Sequence, residues 1–325
     1  PSGFCGIVSP ASLLNDQVSS RLRSWIFENY KVINVSYYPA ELKLYGSADI
    51  SSITMVVKGG ETDQSPNIRI YSDKDTYKEE KIEKAAFEYI KRAGFCIPLK
   101  IGMEAIPIMT YLEQLPSTDE FCDATGLKFT RELDETRVKG KLLPTGKIEF
   151  AKGYMVGRYS FMSDHLFLNE DMMIPPPSSF MSKVVWRDVS RDSQVRRIKA
   201  TLLPPGFICG NSLGVVYGED TALLSLKMLL AIMNSMIFEY QAKGMLVSNH
   251  VSAGVIKRIR VPRICVDMDI IELVDKQLAG QDVEDAIELA VALLYNLSVD
   301  EYKTIVDSFG LSEEKRAKIV RQYKE

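Results

Sequence analysis

Residues 3–38, GFCGIVSPASLLNDQVSSRLRSWIFENYKVINVSYY, decide the fold. Gly3 to Ser9 is a small, apolar run that predicts a short buried strand. Pro10 stops it, and Ser12 stands where it can cap a helix. In that helix Leu14, Val18, Leu22, Trp25 and Ile26 recur at helical spacing and predict a single apolar stripe. Lys31 to Tyr37 and Ile50 to Lys58 are rich in Val, Ile and Tyr and predict strands. Strand, helix, strand, loop, strand is the second half of an α/β sheet. The chain opens on Pro1 and runs straight into the first strand, which predicts an upstream portion.

Outward from this stretch, residues 60–75 are polar and turn-rich and predict a loop or linker. Tyr77 to Arg92 predicts a charged amphipathic helix with Ile82, Ala86, Tyr89 and Ile90 on one face and Gly94 as its C-cap. Between residues 115 and 217 short β-like runs alternate with Gly, Pro and Ser, the texture of a β-rich domain with long loops. Leu223 to Tyr240 predicts one buried helix. Lys227, Asn234 and Glu239 interrupt it, so a membrane span and a membrane partner are not expected. Asp267 to Lys324 predicts three or four short helices, with Asp282 and Ser312 as caps. At 325 residues, two or three compact units are expected.

Charge is unevenly spread. The net charge is −3, yet residues 266–325 hold fourteen acids against seven bases, so residues 1–265 are net positive. The positive charge concentrates in KVVWRDVSRDSQVRRIKATLLPPGFICGNSLGVVY, residues 183–217. Lys183, Arg187, Arg191, Arg196, Arg197 and Lys199 face only Asp188 and Asp192 there. Such a run is either a solvated face or a site for a polyanion. A second stretch, 243–263, contains no acid and carries Lys243, His250, Lys257, Arg258, Arg260 and Arg263. The acidic tail would repel phosphates, so it is expected to pack on the protein or to meet another subunit.

Several chemistries lack their residues. The five cysteines are scattered, without a C-x-x-C pair, which argues against a zinc site and for reduced thiols in a cytoplasmic protein. No metal is expected. His165 and His250 are the only histidines, and neither neighbours a nucleophile elbow, so both are expected in surface loops. Glu41-x-Lys43 has the local spacing of a metal-dependent nuclease, but such triplets arise by chance in a charged chain. Gly3-x-x-Gly6 and Gly59-Gly60 lack the following helix that a cofactor-binding glycine loop requires.

The order of Ile-Val-Ser-Pro, Leu-Arg-Ser-Trp-Ile-Phe-Glu-Asn and Leu-Tyr-Gly-Ser-Ala-Asp-Ile-Ser-Ser-Ile-Thr-Met-Val-Val-Lys resembles the end of the catalytic domain in adenine-N6 DNA methyltransferases of the TaqI type. The remainder resembles that family's target-recognition domain. The similar stretches are Trp-Arg-Asp-Val-Ser, Arg-Arg-Ile-Lys-Ala, Asn211-Ser212-Leu213, Asn234 to Glu239 (NSMIFE) and Ile259 to Pro262 (IRVP). More narrowly, the chain is similar to the methyltransferase component of a type IIS restriction-modification system. The resemblance implies an α/β partial methyltransferase sheet over 1–60 and a linker with an amphipathic helix over 61–114. It further implies an α+β, β-rich target-recognition domain over 115–265 and a small acidic helical C-terminal region over 266–325. The family's glycine motif and its Asn-Pro-Pro-Tyr motif are missing, since no Asn-Pro pair occurs. S-adenosylmethionine is therefore expected as the cofactor of a longer enzyme and not as a ligand of this chain, which has no catalytic residue of its own.

The implied partners are double-stranded DNA, an upstream methyltransferase half of the same protein and, in some arrangements, a restriction endonuclease subunit. The competing expectation is a stand-alone DNA-binding specificity subunit, or part of a restriction endonuclease. A flipped adenine needs an aromatic face, and Tyr45 matches the family's position; as one of fifteen tyrosines it is equally readable as a loop or core residue. For duplex contact the candidates are Lys183, Arg187, Arg191, Gln194, Arg196, Arg197, Lys199, Asn211, Lys243, Asn249, His250, Lys257 and Arg258. Arg158 is expected to be a salt-bridging scaffold residue and Trp186 a core residue. Sheet strands completed elsewhere should also leave an unpaired edge.

Overall fold

The computed structural model describes residues 3–45, 50–60, 65–138, 140–171, 173–191, 194–246, 248–264 and 266–324. Gly46 beside Tyr45, Asp192 in the basic run and the thiol of Cys265 lie outside the described residues. The chain divides into two units, residues 1–112 with 243–248, and residues 113–242 with 249–325.

In the first unit β1 (Phe4–Pro10), α1 (Ser20–Asn29), β2 (Lys31–Tyr38) and β3 (Ser52–Lys58) follow the predicted order. β4 (Asn67–Tyr71) and β5 (Tyr77–Lys81) then enlarge the sheet, and α2 (Lys84–Arg92) and α3 (Ile106–Leu112) follow. The strand order is β1-β3-β2-β4-β5. β3 is antiparallel to both β1 and β2, while β4 runs parallel to β2 and antiparallel to β5. The two strands joined through α1 are thus parallel to each other, with an antiparallel strand inserted between them. Val32, Val35, Ile53, Met55 and Ile68 fill the core.

Four expectations fail here. Residues 67–71 and 77–81 are paired strands, so 61–114 is not a linker, and the amphipathic helix is confined to Lys84–Arg92. Next, β1 is not buried; it is an edge strand with Phe4 and Val8 about two-thirds exposed. The apolar stripe is also split. Leu14, buried in a separate helical turn (Ala11–Leu14), and Val18, exposed in the turn after it, both precede α1, on which Ile26 is buried but Leu22 and Trp25 face outward. The reason is Arg23, which lies on the inner face of α1 and donates to the carbonyls of Gly94 (2.7 Å), Asp16 (2.9 Å) and Leu13 (3.0 Å). Buried carbonyls left without donors cost more than an exposed leucine, so the helix turns its arginine inward. Ser12 caps no helix; Asp16 instead accepts from the Ser19 amide at 2.7 Å.

The second unit begins with α4 (Thr118–Thr125), whose Ser117 and Glu120 form a reciprocal capping box. β6 (Lys128–Thr130), β7 (Glu149–Ala151), β8 (Val156–Gly157) and β9 (Ser160–Phe161) are short. β10 (Lys183–Arg187), β11 (Ala200–Leu203), β12 (Phe207–Cys209) and β13 (Leu213–Tyr217) follow. The main sheet has the order β11-β10-β13-β6; β12 pairs with β7 in parallel, and β8 with β9 antiparallel. Trp186 is buried in β10 opposite Gly214 and donates its indole N–H to the Val251 carbonyl at 2.8 Å. A Cβ at residue 214 would overlap the indole ring, which is why glycine stands there. A second core, made by Leu133, Val138, Ile148, Phe150, Leu168 and Ile208, sits under the loops around β7.

Helices follow: α5 (Leu223–Met233), α6 (Met236–Met245, whose residues from Lys243 on are counted with the first unit), α7 (Ala253–Ile256), α8 (Met268–Leu278), α9 (Glu284–Leu294), α10 (Val299–Asp307) and α11 (Glu313–Lys324). The expected single helix over 223–240 is broken at Asn234–Ser235 by a 67° bend. Among the described residues no single helix is long and apolar enough to cross a membrane; this bent pair passes only jointly, and α5 is buried over most of its length. Ser312 accepts from the Lys315 amide as a cap should, whereas α9 starts behind Val283 with no side-chain cap from Asp282.

The thiols give a test of this packing. Cys5 is exposed on β1, whereas burial pushes Cys122 up to about 12 and Cys209 well above the usual thiol value. Since the thiolate is the nucleophile, iodoacetamide at mildly alkaline pH should alkylate Cys5 in the native chain and reach Cys122 and Cys209 only after unfolding. Peptide mass mapping that finds Cys122 and Cys5 modified at equal rates would refute the packing.

Candidate nucleic-acid interface

The basic run of 183–199 is pulled inward by the elements around it. Lys183 is fully buried at the start of β10, 2.5 Å from Glu132 and donating to the Phe207 carbonyl at 2.8 Å. The other Glu132 oxygen accepts from the Cys209 amide at 2.6 Å. Arg197 is 2% exposed and donates to the Ser190 carbonyl at 3.0 Å. Arg196 bonds the Asn234 carbonyl and lies over the Phe309 ring. These three cations, expected on DNA, are scaffold residues: each fills backbone acceptors or a counter-charge that would otherwise be buried without a partner.

Other candidates are half-committed. The Gln194 carbonyl oxygen accepts from Ser190 at 3.0 Å, and Asn211 accepts from the Glu135 amide at 3.1 Å. His250 Nδ1 is 2.7 Å from Asp188 with its ring largely exposed, and the Asn249 carbonyl accepts from the Ser190 amide at 2.8 Å. Lys257 pairs with Asp119 at 3.0 Å and lies over Phe129; Arg258 Nε donates to the Gly254 carbonyl at 3.1 Å. Arg260 donates to the Leu115 carbonyl at 3.0 Å, and Arg263 donates to that of Gln114. The acid-free stretch thus anchors itself to residues 114–120. Arg191 is exposed and makes no side-chain bond among the described residues. Arg187 and Lys199 remain half-exposed at the end of β10 and just before β11.

Lys243 lies half-buried in α6, and Tyr45 is 55% exposed just after a short turn of helix in the first unit. Arg158 pairs with Glu284, as a scaffold arginine should, and burial lowers it to about 10.

Sequence reasoning missed a set of bases between β6 and β7. Arg131, Arg137, Lys141 and Lys147 are exposed and form no ion pair among the described residues. Interleaved acids hid them: Glu132 turns inward to Lys183, and Glu135 accepts from Ser212. A signal was available only by asking which acids would be buried. Tyr154, Met162, Ile174 and Phe180 are exposed apolar side chains of the same unit. Among the described residues no group of three His, Cys, Asp or Glu side chains stands together as a metal site would need.

No protein-family model and no curated protein sequence matches the chain. Among solved structures, the type IIL restriction-modification enzyme MmeI, solved in complex with DNA, matches with a TM-score of 0.51 at 12% identity. That match covers 99% of this chain and 49% of MmeI. The type IIG restriction endonuclease BpuSI matches with a TM-score of 0.43 at 12% identity, over 98% of this chain and 47% of that one. The chain spans about half the length of these structures. The likeness to MmeI is one of fold.

Lys183 gives the decisive test of a scaffold role. Lys183→Ala leaves the Glu132 carboxylate buried without its counter-charge, and urea unfolding should show a loss of about 3–5 kcal/mol. Unchanged stability would mean that Glu132 reaches solvent.

Proposed function

We propose that this chain recognises duplex DNA as the C-terminal portion of a restriction-modification enzyme. The observation that carries this reading is the fold likeness to MmeI over 99% of the chain, in an enzyme solved with DNA bound. The loop-rich second unit, with exposed Arg131, Arg137, Lys141, Lys147 and Arg191, offers cations to phosphates and side chains to base edges.

The finer reading is an adenine-N6 methyltransferase of the TaqI type. Three features of the first unit support it. An antiparallel strand is inserted between parallel strands, and the open edge of β1 carries exposed Phe4 and Val8. Val18 in the turn before α1, and Leu22 and Trp25 on α1, are also exposed, as expected of surfaces that further sheet and helix would cover. S-adenosylmethionine is the cofactor of this reaction class, yet the residues present do not fit it. A glycine loop leading from a strand into a helix is needed. β1 ends at Pro10, β2 is followed by Pro39, and Gly59-Gly60 precedes β4 and not a helix. This chain's part is then to bind and orient DNA, with Tyr45 offered as a stacking face for the extruded base.

A salt titration tests the reading. Binding to short duplexes should weaken linearly in log K against log salt, by about 0.9 per phosphate neutralised. A flat dependence would remove DNA as the partner.

A further inference from the structure

One pair of cations in the second unit stands side by side without a counter-charge. β10 and β11 pair antiparallel with Trp186 opposite Ala200, and the register continues by one step, since the Arg187 amide donates to the Lys199 carbonyl at 3.2 Å. Arg187 and Lys199 are therefore directly opposite and project from the same face of the sheet. Like charges in that arrangement destabilise a sheet. Neither side chain meets an acid among the described residues. Arg187 Nη2 donates to the Tyr154 carbonyl at 3.0 Å and its Nε to that of Val156, which fixes the guanidinium without neutralising it. Lys199 makes no side-chain hydrogen bond or ion pair among the described residues.

The charged groups around Lys199 sharpen the point. Partial burial pushes its ammonium below the usual lysine value, and the fields of Arg187 and Arg158 push the same way. Glu239 is the acid whose field opposes them, but its two oxygens already accept the amides of Arg197 (2.9 Å) and Ile198 (2.8 Å). Arg158 is matched by Glu284. The pair Arg187–Lys199 thus holds positive charge that the fold fixes in place and leaves uncompensated.

We propose that Arg187 and Lys199 together bind one phosphate of the DNA backbone, fixing the duplex against this end of the second unit's main sheet. The inference rests on the DNA reading above and assigns its anchor. A phosphate oxygen between the two cations relieves their repulsion and takes charge-assisted hydrogen bonds from both. A phosphate contact positions the duplex without reading sequence.

Lys199→Gln tests it in the full chain, because that side chain holds nothing else in place. With a short mixed-sequence duplex followed by fluorescence anisotropy, the variant should bind more weakly, and equally so on scrambled sequences. Its plot of log K against log salt should be shallower by about one unit. Its thermal midpoint should equal or exceed that of the parent, since a repulsion has been removed. Lys199→Arg should restore the slope, and Lys303→Gln, distant in sequence and paired with Asp307, should keep it. A slope unchanged in Lys199→Gln overturns the anchor while leaving DNA as the partner. A lowered thermal midpoint overturns it too, by making Lys199 structural. A parent chain that binds no duplex overturns both this inference and the reading beneath it.

Discussion

The second unit depends on a buried carboxylate. Glu239 is fully buried in α6 and accepts the backbone amides of Arg197 and Ile198, while Asn234, at the bend before α6, exchanges two hydrogen bonds with Ala200. A carboxylate removed from water must have its acceptor capacity met. It is met here by the backbone of the basic run. That constraint fixes the rotation of the chain from 196 to 200, sending Arg197 and Ile198 inward and leaving Lys199 at the surface. It also accounts for the break between α5 and α6. Asn234 serves β11 with its side chain and Arg196 with its carbonyl, so the helix bends where those groups are needed.

The acidic helices continue the same logic. Glu288 of α9 accepts the Met236 amide at the start of α6 with both oxygens, at 2.8 and 3.0 Å. A carboxylate at a helix N-terminus is favourable. Burial nevertheless raises its pKa, against the pull of Arg196, of that amide and of Arg158. Glu284 pairs with Arg158, and Asp275 of α8 pairs with Lys227 of α5 at 2.6 Å. The negative charge of the tail is thus directed in part at arginines and a lysine of its own unit, and residues 266–324 are an integral layer of it and not an appendage.

The sequence showed the order of elements in the first sheet, the β-rich middle and the helical end, because those follow from local periodicity and composition. It did not show orientation. The stripe through Val18, Leu22 and Trp25 has flawless helical spacing, yet Arg23 governs which face turns inward through carbonyls as distant as Gly94. β4 was hidden by the polar, turn-rich residues on either side of it, and β5 by charged residues that suit an exposed edge strand as well as an amphipathic helix. In the basic run, net charge was legible and its disposition was not. Lys183 and Arg197 look like surface cations until Glu132 and the Ser190 carbonyl, fifty-one and seven residues away, are brought against them. The exposed bases between β6 and β7 were masked by acids that the fold withdraws.

The strip of chain from Pro116 to Asp119 is hydrogen-bonded to residues 257–261. Thr118 and Asp119 donate to the carbonyls of Ile259 and Lys257, and Val261 donates back to that of Pro116. Entry and exit of the β-rich segment therefore lie side by side, held by backbone bonds that do not depend on side-chain identity. A segment whose two ends meet can be exchanged for another of different loop chemistry without moving its junctions. An exchanged segment would still have to keep Arg158, Lys227 and the amide of Met236 in place, because Glu284, Asp275 and Glu288 of the helices beyond it are bonded to them.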